Sequence, residues 1–432
     1  MTKRVIIVGG GFAGLNAAKG LANAPGIDVT LIDERNHHLF QPLLYQVATA
    51  GLSPADIAEP IRAILSGARN IRVLCERVLK VDLSRRVVKS DAGEHPYDYL
   101  VLACGAKHAY FGNESWEEHA PGLKTLEQAT EIRRRVLSAF EEAEKEAKPE
   151  SKRSLLTFVV VGGGPTGVEL AGAIGEMSRF TLARDFRQID PTLSRVILIE
   201  AGPRILPTFD AKLASRAVRD LESLGVQIWT ESPVTNIDAA GLDIGSERLA
   251  CRTVLWAAGV RASSLGIGLG APLDRQGRVK VGGDLSLPGH PEVFIAGDQA
   301  HVADENGNPL PGMAPAALQQ GRYLASRIRK LASGGSHPDF RFRNKGQMAT
   351  IGRRRAILES GGVKFAGFAA WAAWLVIHIY YLSGFKNRLF VVLQWAWSYF
   401  TYRRGARLIV GKDWRFYPNA REGPIEPGDN RV

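Results

Sequence analysis

One stretch near the start, Val5-Ile6-Ile7-Val8-Gly9-Gly10-Gly11-Phe12-Ala13-Gly14, constrains this chain more than any other. A short β-branched strand runs straight into glycines spaced so that a backbone can close on a pyrophosphate. Gly9 permits the tight turn, Gly11 removes the side chain that would block the phosphates, and Gly14 lets the next helix pack on the strand with its amides facing the anion. That helix is expected from Leu15 to Ala24. Val29-Thr30-Leu31-Ile32 then reads as a strand ending in Asp33 and Glu34, at the separation of about 20 residues where a carboxylate accepts from ribose hydroxyls. Glycines alone mark a turn; strand, glycines, helix, strand and acid in that order mark a dinucleotide site.

The fingerprint returns. Leu156-Thr157-Phe158-Val159-Val160-Val161 feeds Gly162-Gly163-Gly164-Pro165-Thr166-Gly167-Val168-Glu169, so two dinucleotides are expected in one chain. The closing acid is late: Val196-Ile197-Leu198-Ile199 ends in Glu200, and Glu176 to Arg195 reads as extra helix and loop before that strand. Glu200 would repel a 2′-phosphate and so favours NADH over NADPH, whereas Arg204 nearby argues the other way. Glu169 falls in the first turn of the second helix, where it either complements the helix dipole or meets the reacting rings.

Between the two units, Asn36 to Ala48 is a loop more apolar than solvent favours, fitting either a planar ligand or a neighbouring domain. His37 and His38 have no partners at metal-ligand spacing, so no metal site is expected. Residues 71 to 103 read as short strands ending in Ala103-Cys104-Gly105, with Cys104 a small buried residue. Thr125 to Lys148 has helical period, and Pro149 to Arg153 reads as a charged break between domains. Further on, Thr253 to Val260 repeats the strand that ends in small residues. Val293-Phe294-Ile295-Ala296-Gly297-Asp298 then carries an aspartate into a turn, suited to a ribityl hydroxyl beside a helix N-terminus, or to a helix cap.

At 432 residues the chain exceeds one growing core. The expected division is 1–120 and 286–340 for a first dinucleotide domain, 121–153 for a connecting helix, 154–285 for a second domain and 341–432 for a C-terminal region. Cys75, Cys104 and Cys251 are scattered and make no redox pair, and Met1-Thr2-Lys3-Arg4 leads straight into the first strand, so a reducing, cytoplasmic setting is expected. Net charge is +11, and residues 341–432 carry all of it, with 16 Lys and Arg against 5 Asp and Glu. That region is also the most aromatic, a combination that points to an anionic lipid surface rather than to nucleic acid. Phe365 to Leu382 is 18 residues with His378 alone ionisable, at the lower limit for spanning a bilayer; Leu389 to Tyr402 is shorter. Their Trp and Tyr content and basic flanks favour two helices lying on the cytoplasmic side of the membrane. The alternatives are a single-pass helix and an amphipathic surface that pairs two copies as a homodimer.

Two glycine fingerprints, the second set between halves of the first domain, with Ile295-Ala296-Gly297-Asp298 late in the chain, resemble the two-dinucleotide-binding flavoproteins typified by glutathione reductase. The fold class this implies is α/β, two Rossmann-like domains followed by an amphipathic helical membrane-docking region. Disulfide reductases need a cysteine pair that Phe40 to Leu52 lacks. The chain is more similar to type II NADH dehydrogenases, the single-subunit, non-pumping NADH:quinone oxidoreductases, through His38-Leu39-Phe40-Gln41-Pro42-Leu43-Leu44-Tyr45, Ala314-Pro315-Ala316-Ala317-Leu318-Gln319-Gln320-Gly321 and Gly384-Phe385-Lys386-Asn387-Arg388. The resemblance implies FAD on Gly9, Gly11, Gly14, Asp33 or Glu34, Gly297 and Asp298, and NADH on Gly162, Gly164, Gly167 and Glu200. It implies Glu169 at the nicotinamide and flavin, and a membrane quinone as acceptor. Many members open the quinone-side segment with alanine-glutamine where this chain has Ala314-Pro315, which leaves Gln319 as the expected quinone contact. The same glycines would also serve an NADH-binding sensor flavoprotein or a reductase of a small electron-carrier protein.

Overall fold

The computed structural model describes residues 2–304, 307–382, 385–401 and 405–411. In chain order the elements that position the site begin with β1 (Lys3–Val8), α1 (Phe12–Leu21), β2 (Ile27–Asp33), α2 (Leu44–Ala48), β3 (Ile71–Cys75), β4 (Tyr99–Leu102) and α3 (Leu126–Lys145). There follow β5 (Thr157–Val161), α4 (Pro165–Glu176), β6 (Arg195–Ile199), α5 (Ala211–Ser223), β7 (Val226–Trp229), β8 (Thr253–Trp256), β9 (Ser286–Leu287) and β10 (His290–Ile295). The last are α6 (Ala314–Ala332), β11 (Gln347–Gly352), β12 (Arg355–Ser360), β13 (Val363–Ala366), α7 (Phe368–Tyr381) and α8 (Phe385–Thr401).

Two sheets repeat one plan. The first has the order β9-β10-β4-β1-β2-β3 and is parallel apart from the β9–β10 edge; the second has the order β7-β6-β5-β8 and is parallel throughout. In each, the chain steps outward from the fingerprint strand (β1 or β5), then returns to its other side (β4 or β8). That reversal opens a crevice at the strands' carboxyl ends, where such sheets bind ligands. β10 joins the first sheet only after the whole second sheet has been made. The strands are near-continuous apolar runs because both faces are covered, one by helices and the other by a three-stranded antiparallel meander, residues 78–96 in the first domain and 234–250 in the second; Val5, Ile7, Leu31, Val101 and Phe294 are all fully buried.

α1 and α6 cover one face of the first sheet, and they approach closely because small residues meet: a Cβ on Gly20 would overlap Ala325, and one on Gly321 would overlap the Ala13 carbonyl. α3 starts where the Thr125 hydroxyl accepts from Gln128 N at 3.2 Å and packs on the second sheet, with Phe140 and Phe158 ring centroids 5.1 Å apart. Pro149–Leu155, expected as a break, is a short helix with proline at its first position, where the missing N–H costs nothing.

The C-terminal region departs further from expectation. Residues 347–366 form a three-stranded antiparallel sheet, β11-β12-β13, laid on α4 and α5. A Cβ on Gly172 in α4 would overlap the Ile351 carbonyl, so the helix and this sheet are in direct contact. Lys364 Nζ to Asp210 Oδ2 at 2.6 Å and Gln347 Nε2 to Thr208 O at 2.7 Å tie its edges down. Phe365 and Ala366 belong to β13, and Gly367, at φ +77°, turns the chain into α7, which is therefore 14 residues rather than 18. At 1.5 Å per residue α7 is about 21 Å long, short of a hydrocarbon core of about 30 Å. Among the described residues no helix is long and apolar enough to cross a membrane, which removes the single-pass alternative for Phe365 to Leu382. Gly384, Tyr402 and the tail beyond residue 411 lie outside the described residues.

Candidate functional site

Each fingerprint is built by steric exclusion and one carboxylate. Gly9 has φ +103° and Gly162 φ +111°. A Cβ on Gly9 would overlap the Ala103 carbonyl, and one on Gly162 would press on the Ala257 backbone, so glycine is needed at both turns because they lie against the chain just after β4 and β8. A Cβ on Gly14 or Gly167 would overlap the carbonyl of Gly9 or Gly162. Gly11 and Gly164 differ: a Cβ there would meet no protein atom within 4 Å. That open room, at a helix N-terminus with free amides, is a cradle of the kind a pyrophosphate occupies.

Asp33 Oδ2 accepts from Gly10 N at 2.5 Å and its Oδ1 from Arg35 N at 2.7 Å; burial nevertheless raises its pKa above the ordinary carboxylate value. Glu34 pairs instead with Arg35 near the surface. Glu200 repeats the role of Asp33, its two oxygens accepting from Gly163 N at 2.6 Å and Gly202 N at 2.7 Å. Arg204 does not oppose it. Its guanidinium donates to the carbonyls of Pro207 and Phe209 at 2.7 and 3.0 Å, so it is held away from a 2′-phosphate by its own loop.

Gly297 has φ +71°, and its N–H donates to Gln320 Oε1 at 2.6 Å. Asp298 begins no long helix, only the single turn Gly297–Gln299, and its Oδ2 lies 3.2 Å from Lys124 Nζ on the segment leading to α3. The helix expected directly after it, α6, starts at Ala314. Cys104 is a small packed residue whose thiol burial pushes up to about 12. The loop from Asn36 to Ala48 packs on a neighbouring domain and also borders a cavity: Leu43, Leu44 and Val47 are buried in one core with Val136 and Leu170, Tyr45 and Gln46 line the cavity, and His38 Nδ1 donates to Gly10 O at 2.9 Å. Burial lowers the His38 pKa to about 4.

α2, α4, β11, α7 and α8 enclose a mostly apolar cavity of about 920 Å³, lined among others by Tyr45, Gln46, Glu169, Thr350, Trp374 and Trp395. Glu169 is its notable group. It is the fifth residue of α4, beyond the first turn in which the sequence placed it, and Thr350 N donates to its Oε1 at 3.3 Å; burial pushes its pKa up to about 8. A carboxyl that keeps its proton at neutral pH in an apolar cavity is a proton source. A larger groove of about 1090 Å³ runs along α3 past Asp238 and Thr253. It lies at the amino end of β8, opposite the edge where these sheets bind ligands, and is lined by charged residues.

Gln319, the expected quinone contact, is not brought to that cavity. Its amide is closed on the chain, Nε2 donating to Pro315 O and Arg343 O at 3.2 and 3.0 Å and Oε1 accepting from Arg343 N at 3.0 Å. It fastens α6 to the segment leading to β11. The cavity's aromatic wall was not read as a site from the sequence. Its signal was the Trp371, Trp374 and His378 spacing on one helix, which places them on neighbouring turns.

The sequence profile of the pyridine nucleotide-disulphide oxidoreductase family matches residues 3–321. The type II NADH:quinone oxidoreductase Ndh of Mycobacterium tuberculosis is 45% identical over 423 residues, covering 94% of this chain and 90% of that protein. A second type II NADH:quinone oxidoreductase of the same organism, NdhA, is 44% identical over 95% of this chain and 90% of its own length. The structure of NDH2 from Plasmodium falciparum in complex with NADH superposes with a TM-score of 0.85 at 20% identity, over 95% of this chain and 100% of that one.

Proposed function

We infer the reaction from membership: this chain belongs to the type II NADH:quinone oxidoreductases, within the pyridine nucleotide-disulphide oxidoreductase family, and it passes two electrons from NADH to a quinone without pumping protons. FAD supplies the acceptance of hydride from NADH and the return of two electrons to the quinone. The residues that fit it are Gly9, Gly11 and Gly14 at the pyrophosphate, Asp33 or Glu34 at the ribose, and Gly297 and Asp298 on the ribityl side. Gly162, Gly164, Gly167 and Glu200 hold NADH in the same manner.

The observation that carries the site assignment is Glu169 in the apolar cavity. NADH delivers two electrons and one proton, so a quinol needs one proton more. Glu169 gives that proton to a quinone oxygen and is recharged from water. The aromatic walls exclude bulk solvent from the ring and admit a lipid-soluble substrate from the side of α7 and α8. Stopped-flow absorbance tests both half-reactions: NADH bleaches the flavin band and a soluble quinone restores it at a rate matching turnover. Recovery no faster than with air overturns the quinone assignment.

With Glu200 as the ribose carboxylate and Arg204 turned away, NADH is preferred over NADPH by on the order of 10²-fold in kcat/KM, a preference that Glu200→Gln narrows. Initial rates with both nucleotides check this.

Most exposed large hydrophobics among the described residues lie after residue 360, including Leu393 and Trp397 on α8, 56% and 62% exposed. Such a patch marks a docking face. Burial lowers the His378 pKa to about 4, so the packed face of α7 is uncharged. The two helices lie on the anionic, cytoplasmic leaflet, with Arg388 among the cations at the headgroups. Leu393→Glu with Trp397→Glu weakens partition onto vesicles containing phosphatidylglycerol by on the order of 10²-fold, while the reduction of ferricyanide by NADH is unchanged. Flotation of the two proteins with vesicles checks it, and equal binding sinks the docking face.

A further inference from the structure

A quinone ring has two carbonyl oxygens, both hydrogen-bond acceptors, and the reading above gives only one of them a donor. Several other polar groups on the cavity wall are already engaged. Gln46 donates from Nε2 to Tyr45 Oη at 2.9 Å and accepts at Oε1 from Trp395 Nε1 at 2.7 Å. Thr49 donates to Tyr45 O at 3.0 Å, and Thr350 Oγ1 to Arg355 O at 3.3 Å. Arg353 pairs with Glu176 at 3.6 Å.

Trp374 differs from these. It is 2% exposed and lines the cavity, yet its indole N–H has no acceptor among the described residues. The side chain itself is firmly set. It stacks on His378 at 4.2 Å, lies 5.5 Å from Trp395, and its carbonyl accepts from His378 Nδ1 at 2.7 Å. His378 in turn meets Phe40 edge to face at 6.2 Å, so the indole is braced from the first dinucleotide domain as well. A buried N–H without a partner is costly, and native folds rarely keep one that nothing fills. The ring could be phenylalanine if packing were its whole task.

We propose that the Trp374 Nε1–H donates a hydrogen bond to one quinone carbonyl while Glu169 serves the other, so that the pair fixes which way the ring lies in the cavity. This rests on the assignment of the cavity to quinone. Trp374 is a specificity-determining contact: it favours acceptors carrying a carbonyl at that end and contributes nothing to the reduction of the flavin by NADH.

The test uses the full-length FAD-bound protein, with Trp374→Phe to remove the donor and Trp374→His to restore an N–H on a smaller ring. Infrared difference spectra with carbonyl-¹³C-labelled ubiquinone-1 read the bond directly. In the wild type one carbonyl band lies below its frequency in solution. In Trp374→Phe that band returns toward the solution value, KM for the quinone rises roughly tenfold, and both flavin bleaching by NADH and ferricyanide reduction keep their rates. Trp374→His recovers part of the band shift. If the labelled quinone binds the wild type and the band does not move in Trp374→Phe, the inference is overturned whatever happens to KM. That is also the result expected if the true acceptor is Gln394 Oε1, another buried atom without a partner, in which case Gln394→Leu and Trp374→Phe lower the melting temperature alike. If the labelled quinone does not bind the wild type at all, the cavity assignment itself fails and the inference falls with it.

Discussion

Replacing Glu169 by glutamine slows reoxidation of the flavin by quinone by on the order of 10²-fold, while bleaching by NADH stays within about tenfold of the wild type. The amide keeps the volume and still accepts from Thr350 N, so the cavity retains its shape, but it has no proton to release. The pH profile carries the same signature with a definite sign. Burial holds the Glu169 proton up to about pH 8, so quinone reduction by the wild type is fast below that pH and falls as pH rises through it. Glu169→Gln is slow at every pH and lacks this step. Stability moves with the same group: the unfolded chain releases the proton near 4.5 and the folded chain near 8, so between these values the folded state binds more protons and stability declines as pH rises. Each tenfold difference in proton affinity is about 1.4 kcal/mol, enough for melts at pH 5 and pH 8 to show a steeper decline in the wild type than in the variant. A variant with a wild-type reoxidation rate and pH profile would remove Glu169 from the reaction.

Both dinucleotide units were legible because each is specified within one local stretch of chain, about 30 residues in the first and longer in the second. β1 and β2 fall where the β-branched runs place them, and so do β5, α4 and the delayed β6 before Glu200, whereas α1 starts at Phe12, directly on the glycine turn and three residues before the expected Leu15. The strands leading to Ala103 and Ala257 were readable as strands, but what their ends lie against was not: in each case it is a glycine turn over 90 positions away. The sheet β11-β12-β13 was hidden for a different reason. Phe365 and Ala366 extend the apolar run of α7, and hydropathy sums a strand and a helix into one segment. The turn at Gly361-Gly362 and the positive φ of Gly367 were the punctuation that separates them.

The site itself was half legible. Glu169 could be singled out by its place after the glycines, yet its chemistry comes from Thr350, 181 residues away, and from the aromatic residues of α7 and α8 that take water from it. Of the two adjacent glutamines, Gln319 was the one expected to meet the quinone. Helical geometry turns Gln320 inward to Gly297 N and Gln319 toward Arg343, so neither reaches the cavity. Pairwise partners at such separations leave no periodic trace in a single sequence, whereas cradles built from contiguous glycines do.

Those cradles contain two kinds of glycine, and the second large effect separates them. Gly14→Ala places a methyl group on the Gly9 carbonyl in the contact that seats α1 on the first sheet. Overpacking of a backbone contact costs typically about 1–3 kcal/mol or more, against a total domain stability of about 5–15 kcal/mol. The expected result is poorly soluble protein with a lowered melting temperature even after FAD is stripped from both proteins. Gly11→Val adds two more methyl groups but points them into open room, so the stripped variant melts with the stripped wild type. Its FAD content after purification is nonetheless below about a tenth of the wild type, because the added bulk stands where the pyrophosphate must approach the backbone. The second fingerprint gives the internal control: Gly164→Val retains FAD and raises KM for NADH, since its open room belongs to the other dinucleotide. A Gly11→Val protein that purifies with full FAD would place the pyrophosphate elsewhere. Loss of FAD from Gly164→Val, with Gly11→Val retaining it, would exchange the two sites and require hydride to travel from the first domain to the second.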